Sequence, residues 1–280
     1  MQSLRRSMLF VPGTRPELFA KALAGPADMV CVDLEDAVAP HLKAGARAAA
    51  VEFLGGRGGA ERVLRINAIK TRAGLADLGA VADAAPDQGL LMLPKVDAAA
   101  EIRIADAVLS EAGASVGLIA LIESAEGLEN VQDIAAASPR LQLLLFGAAD
   151  LSAELGVAMD PGPLAYARAR IVHAAKRAGI GVLDVPVLDF RDLDRVRAET
   201  EAAHAMGFTG KALIHPSGVE IVNAAFTPTA EDVQKARAIM ALFEASDTGL
   251  VVHEGKLIEA PVIRSMRRIL DIAEALGAAS

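Results

Sequence analysis

The sequence predicts an α/β protein: a (β/α)8 TIM-type barrel with a C-terminal helix–hairpin–helix extension. Three observations lead there. Eight short apolar runs recur up to position 214, Ala-rich stretches with helical spacing separate them, and no Gly-rich dinucleotide loop follows the first run. Strict alternation of strand and helix gives a parallel sheet, and eight such units close it into a barrel. The missing loop disfavours a doubly wound open sheet.

The predicted strands fall at 8–11, 29–33, 62–66, 89–93, 116–122, 141–146, 181–184 and 211–214. Met8-Leu9-Phe10-Val11 is closed by Pro12-Gly13, and helical spacing follows over 16–23 and again over 163–172. Gly55-Gly56-Arg57-Gly58-Gly59 reads as a flexible loop rather than a phosphate loop, because no Lys-Ser/Thr follows it. The pattern changes past Pro228, so residues 1–228 are expected to form the catalytic barrel and 229–280 a lid or inter-subunit arm. In that arm Thr229-Ala230-Glu231 caps a helix running to Ala245. Residues 250–258 form a hairpin turning at Glu254-Gly255, and a last helix starts at Pro261 and runs to Leu276.

Composition bounds the function. The chain has 280 residues, 53% of them apolar and 23% charged, enough for a buried core. No run approaches the roughly 18–20 apolar residues that span a bilayer, and the apolar stretch after Arg5 and Arg6 is too short for the apolar region of a secretory segment. The lone Cys31 cannot make an intrachain disulfide and is expected to be buried. A cytoplasmic location follows as an expectation. A net charge of −8 and 3% aromatics, with no Trp, exclude a nucleic-acid surface.

The strand ends carry the chemistry. Strand two is followed by Asp33-Leu34-Glu35-Asp36, and strand three ends in Arg65-Ile66-Asn67. Later come Pro94-Lys95, Glu123-Ser124, Asp150, Asp184 and His215-Pro216. Glu123 and Asp150 each follow a buried run, and two carboxylates on one open face suit Mg²⁺, which takes one or two protein carboxylates plus water and substrate oxygens. The structural alternative is that each caps the next helix. A guanidinium at Arg65 suits a substrate carboxylate, with a structural ion pair to Glu35 or Asp36 as the alternative. Glu35 and Asp36 could orient metal-bound water, although Asp36 could simply start a helix. Lys95 occupies a Schiff-base position, yet Pro94 and the metal candidates favour an ion-paired lysine. The histidines lack zinc spacing, and Ser124 has no evident His for a nucleophile role.

At these residues the chain resembles the citrate lyase beta-subunit-like and malyl-CoA lyase family of the HpcH/HpaI aldolase superfamily. The matching stretches are 6–13, 32–38, 65–67, 93–95, 122–127, 146–151 and 211–216, in family order. The resemblance implies a barrel assembling as a homotrimer or homohexamer, Mg²⁺ on Glu123 and Asp150, and substrate carried by Arg65, Glu123, Gly147, Ala148 and Ala149. It implies acyl-CoA over Phe10, Lys21, Ile214 and His215. In the tail, Gly255-Lys256-Leu257-Ile258-Glu259 aligns with a segment whose Asp is the family's acid/base; here that residue is Glu259, one methylene longer. The alternative is that Glu259 only caps the last helix.

The expected reaction is Mg²⁺-dependent cleavage or formation of a 3-hydroxy-3-carboxyacyl-CoA, such as malyl-CoA or citramalyl-CoA, with acetyl-CoA and a small 2-oxoacid as the other partners. Arg65 and Glu259 are the expected catalytic residues. The rivals are a 2-oxoacid aldolase without CoA, a malyl-CoA-type thioesterase, and a non-catalytic citrate-lyase-like binding subunit.

Overall fold

The computed structural model describes residues 4–246, 251–253 and 256–277, with the side chains of 251–257 left aside. The chain divides into two compact units, Arg5–Asn223 and a second that joins the residues up to Leu4 with those from Ala224 on.

The first unit is a closed parallel barrel. Its strands are β1 (Ser7–Pro12), β2 (Met29–Asp33), β3 (Glu61–Arg65), β4 (Leu90–Leu93), β5 (Gly117–Ile122), β6 (Leu141–Phe146), β7 (Gly181–Asp184) and β8 (Gly210–Leu213). They are hydrogen-bonded in chain order, and β8 returns to β1 through Ser7–Lys211, Met8–Ala212 and Leu9–Leu213. The predicted segment 16–23 opens as a 3₁₀ turn over Pro16–Leu18 before the α-helix Phe19–Leu23.

One alternating set of side chains fills the barrel. Met8, Met29, Cys31, Val63, Leu90, Met92, Ile119, Leu121, Leu143, Leu145, Leu183 and Ala212 form a single buried cluster, with Phe10 packed on it. Side chains alternate along a strand, so the next inward positions at the C-terminal ends are Asp33, Arg65, Glu123 and Gly147. The other end is closed by polar groups: Arg5 forks onto Glu61 at 2.7 Å from both Nε and Nη2, and Nη2 also reaches Gln142 at 2.6 Å. The β5–β6 register shifts here, with Leu118 opposite Leu141 and Ile119 opposite Leu143. Gln142 is the extra residue of this bulge, which re-aims a side chain in the usual way.

The opposite parity faces the helices. Asp184 and Lys211 are neighbours in register on β7 and β8, both fully buried, with Lys211 Nζ 2.7 Å from Asp184 Oδ2. Arg168, from the helix Ala165–Ala178, reaches the same oxygen at 3.1 Å. Asp184 was expected among the polar strand ends of the mouth. Parity instead sends it outward, between sheet and helices.

In the second unit the helix Ala230–Glu244 starts in a capping box between Thr229 and Asp232. Strands β9 (Val251–His253) and β10 (Lys256–Ile258) pair antiparallel, as the hairpin reading expects, and their turn at Glu254-Gly255 lies outside the described residues. The last helix, Ala260–Gly277, places Ile263, Met266 and Leu270 on one face. These pack with Ile239, Met240, Phe243, Ile258 and Val262 as a small core of their own. Among the described residues, no helix is long and apolar enough to cross a membrane.

Candidate active site

Arg65 is the centre of the charged mouth. Its Nε and Nη2 donate to the two carboxylate oxygens of Asp33 at 2.7 and 2.6 Å, while Nη1 lies 3.0 Å from Glu35 and 3.4 Å from Asp36. The Phe10 ring stands under the guanidinium, 5.1 Å from Cζ to centroid. Burial opposes the charge, but Asp33 and Glu35 outweigh it and raise the pKa above the ordinary arginine value. Sequence reasoning named Glu35 and Asp36 as the ion-pair partners; the two-pronged partner is Asp33. Asp36 does not start a helix. It sits in a turn, half exposed, and the next helical segment begins at Pro40.

Glu123 sits directly after β5 and is buried. It does not cap the following helix, because Ser124 does so by accepting from the Gly127 amide. That frees the Glu123 carboxylate to face the mouth, where Oε1 accepts from the Lys95 amide at 2.8 Å. Burial first, then the Glu35 and Asp150 charges, push its pKa up to about 8. The neighbouring strand makes room for it: a Cβ on Gly147 would overlap the Glu123 Cβ and come within 2.9 Å of Oε2. Asp150 was expected at the strand end, as a metal ligand or, alternatively, as a helix cap. It lies instead in the first turn of the helix Ala148–Leu155, whose N-cap is Gly147. The amides of Ala148, Ala149 and Asp150 open that helix and have no intrahelical acceptor, which is a favourable place for a carboxylate. Ala148 is buried and Ala149 exposed, so any contact of Ala148 with substrate runs through its backbone.

Lys95 links these groups. Its Nζ lies 2.9 Å from Glu35 Oε1, 3.4 Å from Asp150 Oδ2 and 3.9 Å from Asp36 Oδ1. Its backbone is left-handed, with φ 52°. This is the ion-paired lysine the sequence favours. Behind the mouth, Lys43 donates to the Glu35 carbonyl at 3.0 Å and to the Asn67 side chain. The buried Asp77 holds Asn67 through its amide at 3.0 Å and its Nδ2 at 2.6 Å. Asp97 accepts from Ser124 and pairs with Lys70, which bonds the serine hydroxyl within a structural network.

The expected CoA contacts spread over the β1 and β8 ends. Phe10 is half-buried, and Ile214 and His215 are exposed just past β8. The His215 ring stacks on Phe190 at 4.6 Å between centroids and bonds Ser217 at 2.8 Å. Phe190 was not anticipated, since a single aromatic in a loop carries no periodic signal. Lys21 is exposed on the short helix Phe19–Leu23. Glu259 belongs to the second unit and is exposed; its carbonyl accepts from Val262 at 2.9 Å and Ile263 at 3.2 Å, as at a helix start.

The donor set suits a hard divalent cation. Among the described residues the ion pairs of Asp33, Glu35, Asp36 and Asp150 run to Arg65 and Lys95, and buried Glu35 Oε2, 3.0 Å from Arg65 Nη1, makes no hydrogen bond. Among the described residues no three His, Cys, Asp or Glu side chains form a complete cage. Mg²⁺ needs none, because water and substrate complete its shell.

A family model described as HpcH/HpaI aldolase/citrate lyase matches residues 6–216. The protein belongs to this family. As an HpcH/HpaI family member it is an enzyme of the carbon–carbon lyase class, in the CoA-linked branch. It is 34% identical to the L-malyl-CoA/beta-methylmalyl-CoA lyase of Cereibacter sphaeroides, over 98% of this chain and 96% of that one. It is 36% identical to the (3S)-malyl-CoA thioesterase of the same species, with the same two coverages. The structure is similar to that of CitE from Mycobacterium tuberculosis in complex with magnesium, acetoacetate and coenzyme A. The TM-score is 0.82 at 33% identity, covering 98% of this chain and all of that one. This HpcH/HpaI barrel is thus matched along nearly its whole length.

Proposed function

We propose that the protein is a Mg²⁺-dependent lyase that cleaves or forms a 3-hydroxy-3-carboxyacyl-CoA, such as malyl-CoA or citramalyl-CoA. The observation that carries this reading is the Glu123–Lys95–Asp150 linkage beside Arg65 on one barrel mouth. Mg²⁺ on Glu123 and Asp150 would supply Lewis-acid polarisation of the substrate's hydroxyl and carboxylate oxygens. Arg65, locked by Asp33, presents its remaining N–H groups to the substrate carboxylate. The free amides opening the helix Ala148–Leu155 offer a second carboxylate cradle. Phe10, Lys21, Ile214 and His215 form the surface for the thioester arm.

In the cleavage direction the substrate hydroxyl gives its proton to solvent and its carbon becomes the carbonyl of the 2-oxoacid. The carbon–carbon bond breaks, and its electron pair passes into the acetyl thioester as an enolate. Glu259, in the position of the family's aspartate, returns a proton to that carbon and removes it in the condensing direction. The protein would act as a trimer or hexamer, as the resemblance implies. The test is oxoacid release from malyl-CoA or citramalyl-CoA with Mg²⁺, by wild type and by Glu123→Ala. Turnover that survives both the substitution and EDTA would overturn the proposal.

The thioesterase reading has its own support in the 36% identical (3S)-malyl-CoA thioesterase. Free CoA appearing with malate and without any oxoacid would decide for it.

A further inference from the structure

We propose that the Lys95 ammonium is the built-in counter-ion of the metal-ligating carboxylates, and that a divalent metal has to displace it from Asp150. Lys95 then sets how tightly the protein holds metal. This inference rests on the reading of Glu123 and Asp150 as ligands.

Four observations carry it. Lys95 touches both members of the pair, through its amide on Glu123 Oε1 at 2.8 Å and its Nζ 3.4 Å from Asp150. Its backbone is left-handed without being glycine, one of two such positions among the described residues. That conformation is unfavourable for a side-chain-bearing residue and persists only where the surroundings hold it. Here it aims the amide at Glu123 while the side chain turns back over Glu35. Finally, Nζ has alternative anions at hand: Glu35 at 2.9 Å and Asp36 at 3.9 Å hold it when Asp150 is taken away.

The consequence follows from charge. An ammonium and Mg²⁺ repel one another, and both need the same Asp150 carboxylate. Without metal, Lys95 neutralises part of the crowded acids. With metal, it retreats to Glu35 and Asp36 and leaves Asp150 to the ion. Lys95 therefore stabilises the metal-free protein and weakens metal binding, two effects of opposite sign. A residue that only supported the loop would strengthen both.

The experiment uses the full chain without substrate. Mg²⁺ affinity is measured by isothermal titration calorimetry, and melting temperature in EDTA, for wild type, Lys95→Met and Lys95→Arg. Lys95→Met is expected to bind Mg²⁺ on the order of tenfold more tightly and to melt lower than wild type in EDTA. Lys95→Arg keeps the charge and is expected not to tighten. Equal or weaker Mg²⁺ binding by Lys95→Met overturns the proposal while leaving the metal site standing. Absence of Mg²⁺ binding by the wild type removes the metal reading itself, and this inference with it. A second measurement needs no variant: acylation of lysine amines in the wild type, mapped by peptide mass spectrometry, should rise at Lys95 when Mg²⁺ is added. Labelling that stays constant on saturation with Mg²⁺ also overturns it.

Discussion

Asp33 and Arg65 end β2 and β3 in register and face one another across the strand seam with two contacts of 2.7 and 2.6 Å. The carboxylate is almost wholly buried and the guanidinium nearly so. A forked pair fixes the plane of Arg65, and with it the direction of every N–H left for substrate. The pair therefore aims the guanidinium as well as neutralising it.

Arg65→Lys is the sharpest test of that geometry. It keeps the charge and loses the fork. Turnover of the best acyl-CoA substrate is expected to fall about 10²-fold or more, because misplacement near 1 Å costs that much. Arg65→Met leaves Asp33 buried without its partner and is expected to lower unfolding free energy by about 3–5 kcal/mol. Steady-state kinetics and urea melts check the two arms. A lysine variant as active as wild type would show that charge alone suffices.

Gly147 is the second target. A Cβ there would overlap Glu123, and glycine's φ at this position is an ordinary −103°. The cost of Gly147→Ala is thus steric and falls chiefly on the Glu123 side chain, with Leu121 Cδ1 also 3.1 Å away. Overpacking of this kind costs about 1–3 kcal/mol, whereas the displaced ligand should weaken Mg²⁺ binding roughly tenfold or more. Calorimetric titration of the folded variant reads the effect. Wild-type Mg²⁺ affinity in Gly147→Ala would mean that Glu123 is not a ligand.

The Glu123 carboxyl supplies a pH dependence with a definite sign. Its pKa rises on folding from 4.5 to about 8, chiefly through burial. The folded metal-free state thus holds this proton more tightly than the unfolded chain does. The stability it contributes is complete below pH 4.5 and is lost as pH rises to about 8. Bound Mg²⁺ requires the ionised form and removes that loss. The rise in melting temperature caused by saturating Mg²⁺ should therefore grow with pH up to about 8 and then level off. Melting curves with and without Mg²⁺ test it, with Glu123→Gln as the control that flattens the profile. An Mg²⁺ effect constant across this range would refute it.

Some of this site could be read before any coordinates. The eight apolar runs match the eight strands to within a residue or two, because parallel strands buried on both faces need unbroken apolar stretches. Arg65 and Glu123 stand where their strands stop. Asp33 was also legible: it shares the parity of the inward Cys31, just as Arg65 shares that of Val63. The same rule would have removed Asp184 from the mouth. Asp150 was harder, because a helix begins at Ala148 immediately after Gly147 and carries the acid one turn away from the strand. The left-handed backbone of Lys95 has no sequence signature, since lysine is not a residue that favours positive φ.

The outward charges make a prediction that separates fold from chemistry. Asp184 Oδ2 takes Lys211 at 2.7 Å and Arg168 at 3.1 Å, and Glu199 lies 3.9 Å from the lysine. Asp184 and Lys211 are wholly buried, and Arg168 is nearly so. Removing the shared carboxylate leaves two cations in the sheet–helix layer, with Glu199 3.9 Å from the lysine. Asp184→Ala is expected to lower stability by about 3–5 kcal/mol. Lys211→Met should cost less, because it leaves Arg168 and Asp184 as a neutral pair in an apolar layer. Neither side chain faces the mouth, so the folded fraction of each variant should retain its kcat. Urea melts give the first comparison and turnover per folded enzyme the second. A larger loss in Lys211→Met than in Asp184→Ala would show that the lysine, rather than the shared aspartate, holds β7 and β8 to their helices.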